Sequence, residues 1–600
     1  MQPTTLLIHD LLDAYRAGLK PTQFIARLLD DIDANAMNGV WITRLTRDDV
    51  LQRAAALEAR SPDELPLYGI PFAIKDNIDL AGVPTTAACP DYAYTPGTSA
   101  FVVQQLIDAG AIPIGKTNLD QFAAGLVGTR SPYGACPNAF DPAYISGGSS
   151  SGSAVAVAKG FVSFALGTDT AGSGRVPAAF NNIVGLKPSC GRLSLRGVVP
   201  ACRSLDCVSI FAGSAQCAEV VLEVAGRMDE QDPFARPVTT ASALGRLIGA
   251  DPLTIGVPQH DQLQFFGDAA YAQLFDAAMS LFERNGARIT PVDFMPFIEA
   301  AQLLYRGPWL AERYVAVQAF IEQRADSLYP VTRSIIEGGR KPTAVEAFKA
   351  HYRLQALRRI AARVFDAVDV LLTPTAATIF RIEEVNAQPV ELNTQLGYYT
   401  NCMNLLDLAA VAVPAGFRRD GLPFGITLAA PRGYDEALLG LAGRVHPMFA
   451  PTVGATHHAT PLPRGHKSVP AGFIPVVVCG AHMQGLPLNH QLRERNAYFV
   501  RRTRTAPRYR FYALSGGPPR RPGLVRVSRE GAAIEVEVWA VPAEHFGTFV
   551  AGIPSPLGIG KVLLEDGSVE SGFICEASAV DGAQDITVSG SWRSYMSGSP

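Results

Sequence analysis

Residues 146–177, SGGSSSGSAVAVAKGFVSFALGTDTAGSGRVP, decide the fold. Taken alone, the first eight have the composition of a flexible Gly/Ser linker. They run directly into AVAVAKG (154–160), an apolar helix-forming segment, and then into FVSFALG, a strand that ends in a glycine-rich turn. A linker is not expected between a strand and a helix inside a core-forming region, whereas a helix N-terminus with free backbone N–H groups is. The turn Gly167-Thr168-Asp169-Thr170-Ala171-Gly172-Ser173-Gly174-Arg175 flanks a serine with small residues. An approaching carbonyl oxygen could meet successive backbone N–H donors there, which is the geometry of an oxyanion hole. Asp169 and Arg175 bracket Ser173 with opposite charges and read as structural, holding the turn.

A serine nucleophile needs a base. None of the ten histidines lies between His9 and His260, so this region is histidine-free, although a distant histidine could fold in. The nearer candidate is Lys75, alone between Ile74 and Asp76 in the apolar strand-like GIPFAIKDN. Such a lysine could simply snorkel to solvent. To act as a base its pKa must fall from about 10.4 toward 7, roughly 4 kcal/mol, which burial beneath the serine-rich loop could supply. The neutral amine could then take a proton from the attacking serine through a bridging hydroxyl.

Working outward, two amphipathic helices, the first ending near Gly18 and the second over about 22–33, precede an extended VWITRL. Strand-like YGIPFAIK and AIPIGKT then alternate with helical stretches such as SAFVVQQLIDAG, each closing at a glycine. The α/β alternation continues to about residue 450, with helices predicted over 268–285, 297–325 and 343–367 and strands in VDVLLTPT and AAVAVPAGF. Pro, Gly, Thr and His then dominate without apolar periodicity, predicting a linker at 451–470. Beyond it, FIPVVVCG, RYRFYAL, LVRVSR, AIEVEVWAV and KVLLEDG read as short strands of a separate, smaller, strand-rich domain over 471–600.

The whole chain has 600 residues, 48% hydrophobic and 18% charged, enough apolar content to bury a large core. At roughly 150 residues per domain, its length predicts about four domains. The net charge of -3 leaves no global polycation for nucleic acid or anionic membrane. Nine scattered cysteines without a Cys-x-x-Cys pair suit reduced cytosolic thiols better than disulfides or a zinc site. The N-terminus lacks a basic leader, and the longest run without Asp, Glu, Lys or Arg, Ser468 to Leu492, is broken by three prolines. A soluble cytoplasmic protein is expected.

Together, GGSSSGS, GTDTAGSGRVPAAFNNIVGLKPS and the upstream KDNID resemble the amidase signature family of Ser–Ser–Lys hydrolases, over about residues 5–445. Lys75, Ser149 and Ser173 fall at the family's spacing, the two serines 24 residues apart. The resemblance implies one large α/β domain over 1–450, a mixed central sheet covered by helices, which lowers the expected domain count to two. It also implies Ser173 as nucleophile, Ser149 as the bridging serine on a cis peptide and Lys75 as base, with an oxyanion hole formed by the amides of Thr170, Ala171, Gly172 and Ser173. Two further stretches, NLDQFAAGLVGTRSPYG (118–134) and YRGPWLAERY (305–314), look like the allophanate hydrolase branch of the family. That likeness implies that Tyr305 and Arg313 recognise the substrate and that Gly125 lines the pocket. A planar guanidinium suits this task, because allophanate is a urea-like amide carrying a carboxylate.

The segments VVVCGAHMQGLPLNHQL and APRYRFYALSGGPPRRPGLVRV are similar to the accessory domain that follows the amidase in allophanate hydrolases, a γ-glutamyl-cyclotransferase-like barrel. The likeness implies that the amidase releases ammonia to leave N-carboxycarbamate, which the second domain decarboxylates with His482. No metal or cofactor is expected. Without a Met-Lys-Met biotin site, allophanate would come from a separate urea carboxylase or a triazine-degrading enzyme. A homodimer is the family-based expectation. Between Arg493 and Arg526 stand ten arginines with interleaved aromatics, which in isolation resemble an RNA-binding stripe. A small dianionic product passed to a barrel mouth accounts for them better, and no nucleic-acid or membrane partner is expected. Two alternatives stay open: an amidase for another small amide with a non-catalytic C-terminal domain, and a transamidosome-like component that binds tRNA.

Overall fold

The apolar strands of the first 450 residues assemble into one 11-stranded sheet. They are β1 (Trp41–Arg44), β2 (Pro71–Lys75), β3 (Ile112–Thr117), β4 (Phe164–Asp169), β5 (Val184–Lys187), β6 (Cys207–Ala212), β7 (Thr254–Pro258), β8 (Arg288–Val292), β9 (Val370–Pro374), β10 (Leu408–Phe417) and β11 (Pro423–Pro431). Their spatial order is β1-β3-β2-β4-β6-β5-β10-β11-β9-β7-β8. The sheet is mixed: β3, β2 and β4 run parallel, as do β8, β7 and β9, and antiparallel pairs join these two groups. Strands β2 to β6 are buried throughout, and they read as continuous apolar runs because helices cover both faces.

This computed structural model describes residues 5–237, 243, 245–247, 252–462, 469 and 472–598. The chain divides into two compact units, Met1–Val238 with Pro252–Pro463, and Thr239–Asp251 with Arg464–Pro600. Among the described residues, no helix is long and apolar enough to cross a membrane.

The serine-rich segment is core. Ser146, Ser149, Ser150, Ser151 and Ser153 have no exposed surface, and the helix Ser151–Ala158 is buried along its whole length. Its small residues are a packing requirement: a Cβ on Gly152 would stand 2.2 Å from the Val40 carbonyl oxygen. The early helices form over Ile8–Arg16 and Pro21–Ala34, and the predicted helices at 268–285 and 343–367 form over Ala269–Arg284 and Ala344–Ala367. The single helix expected over 297–325 is instead two, Met295–Arg306 and Trp309–Arg324. Gly307 adopts an extended conformation between them, and Pro308 supplies no N–H to carry the helical ladder across. In the predicted linker, residues 451–462 lie in the first unit; Gly454 N donates to Asn182 O at 2.8 Å and Ala455 N to Ala158 O at 2.9 Å. Residues 463–468 and 470 of that linker lie outside the described residues.

In the second unit the strands are β12 (Phe473–Val478), β13 (Tyr498–Arg504), β14 (Tyr509–Leu514), β15 (Arg521–Arg526), β16 (Glu535–Pro542), β17 (Leu557–Leu563), β18 (Val569–Cys575) and β19 (Gln584–Asp585). The hydrogen-bonded ladders form a five-stranded sheet, β13-β16-β12-β18-β17, and a three-stranded one, β15-β14-β19; the bridge Thr505↔Leu564 joins the ends of β13 and β17, the two edges of the larger sheet, and Tyr509↔Ala532 joins β14 to the segment before β16. Trp539, Phe511, Tyr509, Val538 and Trp592 share the core between them.

Candidate active site

Strand β2 is paired in parallel with β4, and the register Ile74↔Leu166 sets Lys75, the last residue of β2, beside the end of β4. Lys75 is wholly buried; its Nζ donates to Ser149 Oγ and to Thr168 Oγ1, each at 2.8 Å. Asn77 Nδ2 also donates to Thr168 Oγ1, at 3.3 Å. The Gly148-Ser149 peptide is cis. Burial lowers the Lys75 pKa to about 7; the carboxylates of Asp120, Asp169 and Asp206 oppose that fall, and the Arg313 charge adds to it. An amine so placed exchanges its proton near neutral pH.

Ser173 sits five residues beyond Thr168 in the turn that leaves β4, with 4% of its surface exposed. Asp169 organises this turn. Its Oδ1 accepts from Gly172 N at 2.9 Å and its Oδ2 from Gly174 N at 3.0 Å, and Arg175 grips both oxygens through Nε at 2.9 Å and Nη2 at 3.0 Å. Burial pushes the Asp169 carboxyl up, but the Arg175 charge and these bonds outweigh it and hold the group ionised below the usual range. Asn404 Nδ2 caps the turn by donating to Asp169 O at 2.8 Å. Gly172 has φ +139°, and a Cβ there would stand 2.4 Å from Thr400 Oγ1. The Gly172 amide, expected among the oxyanion donors, is therefore engaged by Asp169. Among the described residues, the amides of Thr170, Ala171 and Ser173 have no protein acceptor.

Gly125, one of the proposed recognition residues, lies beside a second carboxylate, Asp120. It is buried, accepts from the amides of Val127, Gly128 and Arg130 at 3.0 to 3.1 Å, and donates its own amide to Ser149 O at 3.1 Å. Gly125 packs against it: a Cβ there would lie 2.7 Å from Asp120 Oδ2. Arg313, on the helix Trp309–Arg324, is 3% exposed. Its guanidinium makes one long bond, Nη1 to Ala123 O at 3.4 Å, leaves Nε unpaired, and lies 5.9 Å from the centre of the Tyr305 ring. Burial opposes the Arg313 charge, and Cys202, Tyr305, Asp206 and Glu312 more than offset this. Among the described residues it has no carboxylate within ion-pair distance.

In the second unit, His482 follows β12. It stacks on Phe573 at 4.9 Å and meets Phe549 edge-on at 5.4 Å, and its Nε2 lies 3.0 Å from Gln491 Oε1. Burial lowers its pKa; the bond to Gln491 partly offsets this, and His490 and Arg495 add to it. Burial thus favours the neutral ring, and a nearby anion would favour the imidazolium. His482 borders a cavity of about 230 Å³ inside this unit.

Sequence reasoning missed Asp120, Asp206, Asn77, Thr168 and Asn404. Asp206 is buried beside the nucleophile turn, accepting from Thr170 Oγ1 and from the amides of Ala201 and Cys202, and burial raises its pKa. A lone acid in NLDQFAAGLVG, among apolar residues and glycines, was the available signal for Asp120. Among the described residues, no group of three or more His, Cys, Asp or Glu side chains could hold a metal ion.

The amidase family profile matches residues 24–439, and that of the allophanate hydrolase C-terminal domain matches residues 474–597. Urea amidolyase of Saccharomyces cerevisiae is 44% identical over 98% of this chain, which spans 33% of that relative's length. A glutamyl-tRNA(Gln) amidotransferase subunit of Lacticaseibacillus paracasei is 34% identical, over 66% of this chain and 86% of its own. The solved allophanate hydrolase of Kluyveromyces lactis is 42% identical, covers 99% of both chains and superposes with a TM-score of 0.87. The amidase profile spans more than half of the chain, and the chain belongs to the amidase family.

Proposed function

We propose that the chain hydrolyses allophanate to ammonia and carbon dioxide in two steps, the first in the amidase domain (1–450) and the second in the C-terminal domain (471–600). The observation that carries this reading is the buried Arg313 guanidinium, which among the described residues lacks a carboxylate partner and shares its surroundings with the Lys75–Ser149 pair. Neutral Lys75 takes the Ser149 hydroxyl proton as Ser149 takes that of Ser173, and Ser173 Oγ attacks the terminal carbonyl of allophanate. The oxyanion is received by the free amides of Thr170, Ala171 and Ser173, while Gly172 serves by bonding Asp169 and fixing the turn. The relay returns its proton to the leaving nitrogen, ammonia departs, and water attacks the acyl-enzyme to leave N-carboxycarbamate. Arg313 and Tyr305 hold the substrate carboxylate, and Gly125 lines the pocket. In the second step His482 protonates the nitrogen as carbon dioxide leaves. The likeness to allophanate hydrolase over both units supports this assignment.

We further propose a cytoplasmic homodimer supplied with allophanate by a separate urea carboxylase or triazine-degrading enzyme. Ammonia release from allophanate by the wild-type, Ser173→Ala and Arg313→Ala proteins tests the central claim. Ser173→Ala should abolish release and Arg313→Ala should raise KM steeply. A wild-type protein that ignores allophanate while hydrolysing simple amides at comparable rates would overturn it.

A further inference from the structure

The arginine-rich run of the second unit separates, by the partners of each guanidinium, into committed and uncommitted side chains. Arg501 pairs with Asp566, Arg502 with Glu537, and Arg510 with Glu530 and Asp585. Arg493 donates to Asn489 Oδ1, Arg495 to Gln491 O and Arg504 to Ala533 O. Arg508, Arg520 and Arg526 are exposed. Arg521 differs from all of these: it is half-buried at the start of β15, and it is the arginine that borders the 230 Å³ cavity next to His482.

The cavity's other polar side chains are Cys479, His482 and Gln491; the remaining lining is aliphatic, aromatic, proline or glycine, with no carboxylate. Two features bring the strand carrying Arg521 close to this wall. Gly480 lies where a Cβ would be 2.5 Å from Pro522 Cδ, and Gly523 where one would be 2.8 Å from Cys575 Sγ. A guanidinium on the rim of a small, largely apolar cavity whose described lining holds no acid attracts an anion, and its planar fork matches a carboxylate.

We propose that Arg521 binds one carboxylate of N-carboxycarbamate in this cavity and so positions the C–N bond of the other carboxylate beside His482. The proposal rests on the two-step reading given above. In the step itself the C–N bond breaks, carbon dioxide departs, and the bonding pair stays on nitrogen, which takes the proton of the His482 imidazolium; carbamate remains. Water then restores the His482 proton. The bound dianion is the nearby negative charge that the buried imidazole needs in order to be protonated.

The test uses the full-length chain, 13C-labelled allophanate and NMR detection of N-carboxycarbamate, with the enzyme-free decay subtracted. Arg521→Ala should leave the first ammonia release unchanged and raise the KM of the second step roughly 10- to 100-fold, while His482→Ala lowers its kcat instead. Arg521→Lys, which keeps the charge but loses the fork, should recover part of the KM. Arg526→Ala, outside the cavity, serves as the folding and charge control and should match wild type. If Arg521→Ala consumes the intermediate with wild-type KM while His482→Ala does not, the role of Arg521 is refuted and the two-step reading stands. If neither substitution slows consumption, and the wild-type rate equals the enzyme-free one, the second-step reading falls and Arg521 with it.

Discussion

The pH profile of the first step follows from the burial of one amine. Lowering Lys75 from 10.5 to about 7 corresponds to a preference for the neutral form worth about 5 kcal/mol, at about 1.4 kcal/mol per tenfold. With the neutral amine as the proposed base, kcat/KM for the first ammonia should be level above pH 7 and fall about tenfold per pH unit below it. At pH 5 about 1% of the plateau should remain. The carboxylates around the amine allow an internal check: Asp206→Asn removes a negative charge that holds the Lys75 proton on. That variant should shift the midpoint to lower pH, keeping activity where the wild type has lost it. The assay is the initial rate of ammonia release between pH 5 and 9.5, corrected for enzyme-free decomposition at each pH. A level profile across this range, a midpoint near 10, or an Asp206→Asn midpoint that rises would refute the reasoning. Linkage gives a second readout. Between pH 7 and 10.5 the unfolded chain holds a proton on Lys75 that the folded chain has released, so this residue makes stability rise with pH in that window. Lys75→Met should flatten that part of the curve.

Three further outcomes are expected. Arg175→Met leaves the Asp169 carboxylate buried without its counterion, and should cost about 3–5 kcal/mol in chemical denaturation; a loss below about 1 kcal/mol would mean that the turn is held by other contacts. Gly172→Ala places a Cβ against Thr400 Oγ1 on a backbone at φ +139°, so both clash and strain oppose it. Adding Thr400→Ala should recover only part of the lost stability and activity, and complete recovery would show that the backbone carries no strain. Arg313→Lys should raise KM for allophanate about 10- to 100-fold, with a smaller effect on kcat; steady-state ammonia release separates the two.

The residues proposed for the chemistry stood out as candidates because they lie in short, contiguous motifs whose composition conflicts with their setting. Lys75 is a charge inside an apolar strand, and the serine-rich run lies between two core elements. What orients them was not legible. Asp120, Asp206 and Asn404 reach the site from separate stretches of chain, and a lone acid or amide gives no periodic signal of where it folds. The break at Gly307-Pro308 was visible as a breaker pair, but the apolar periodicity on either side concealed it. In the second unit, the sequence pattern located β12, β14, β15, β16 and β17 but missed β13, β18 and β19, and it assigns a face and not a neighbour, so the division of the ladders into a five- and a three-stranded sheet had to come from the structure.

The placement of Lys75 on an interior strand and of Tyr305 and Arg313 on two helices broken at Gly307-Pro308 has an evolutionary consequence. The proposed proton relay is held by strand pairing, which tolerates little change, whereas the groups proposed to face the substrate's distal end ride on two helices joined by a short extended hinge. A lineage can therefore rewrite the two helices, or alter the hinge that sets their angle, and acquire a new substrate while inheriting the same hydrolytic centre intact. Swapping residues 295–324 between relatives should transfer preference before it transfers or destroys turnover, and that makes this helical pair the natural place to begin when redirecting the enzyme toward other small amides.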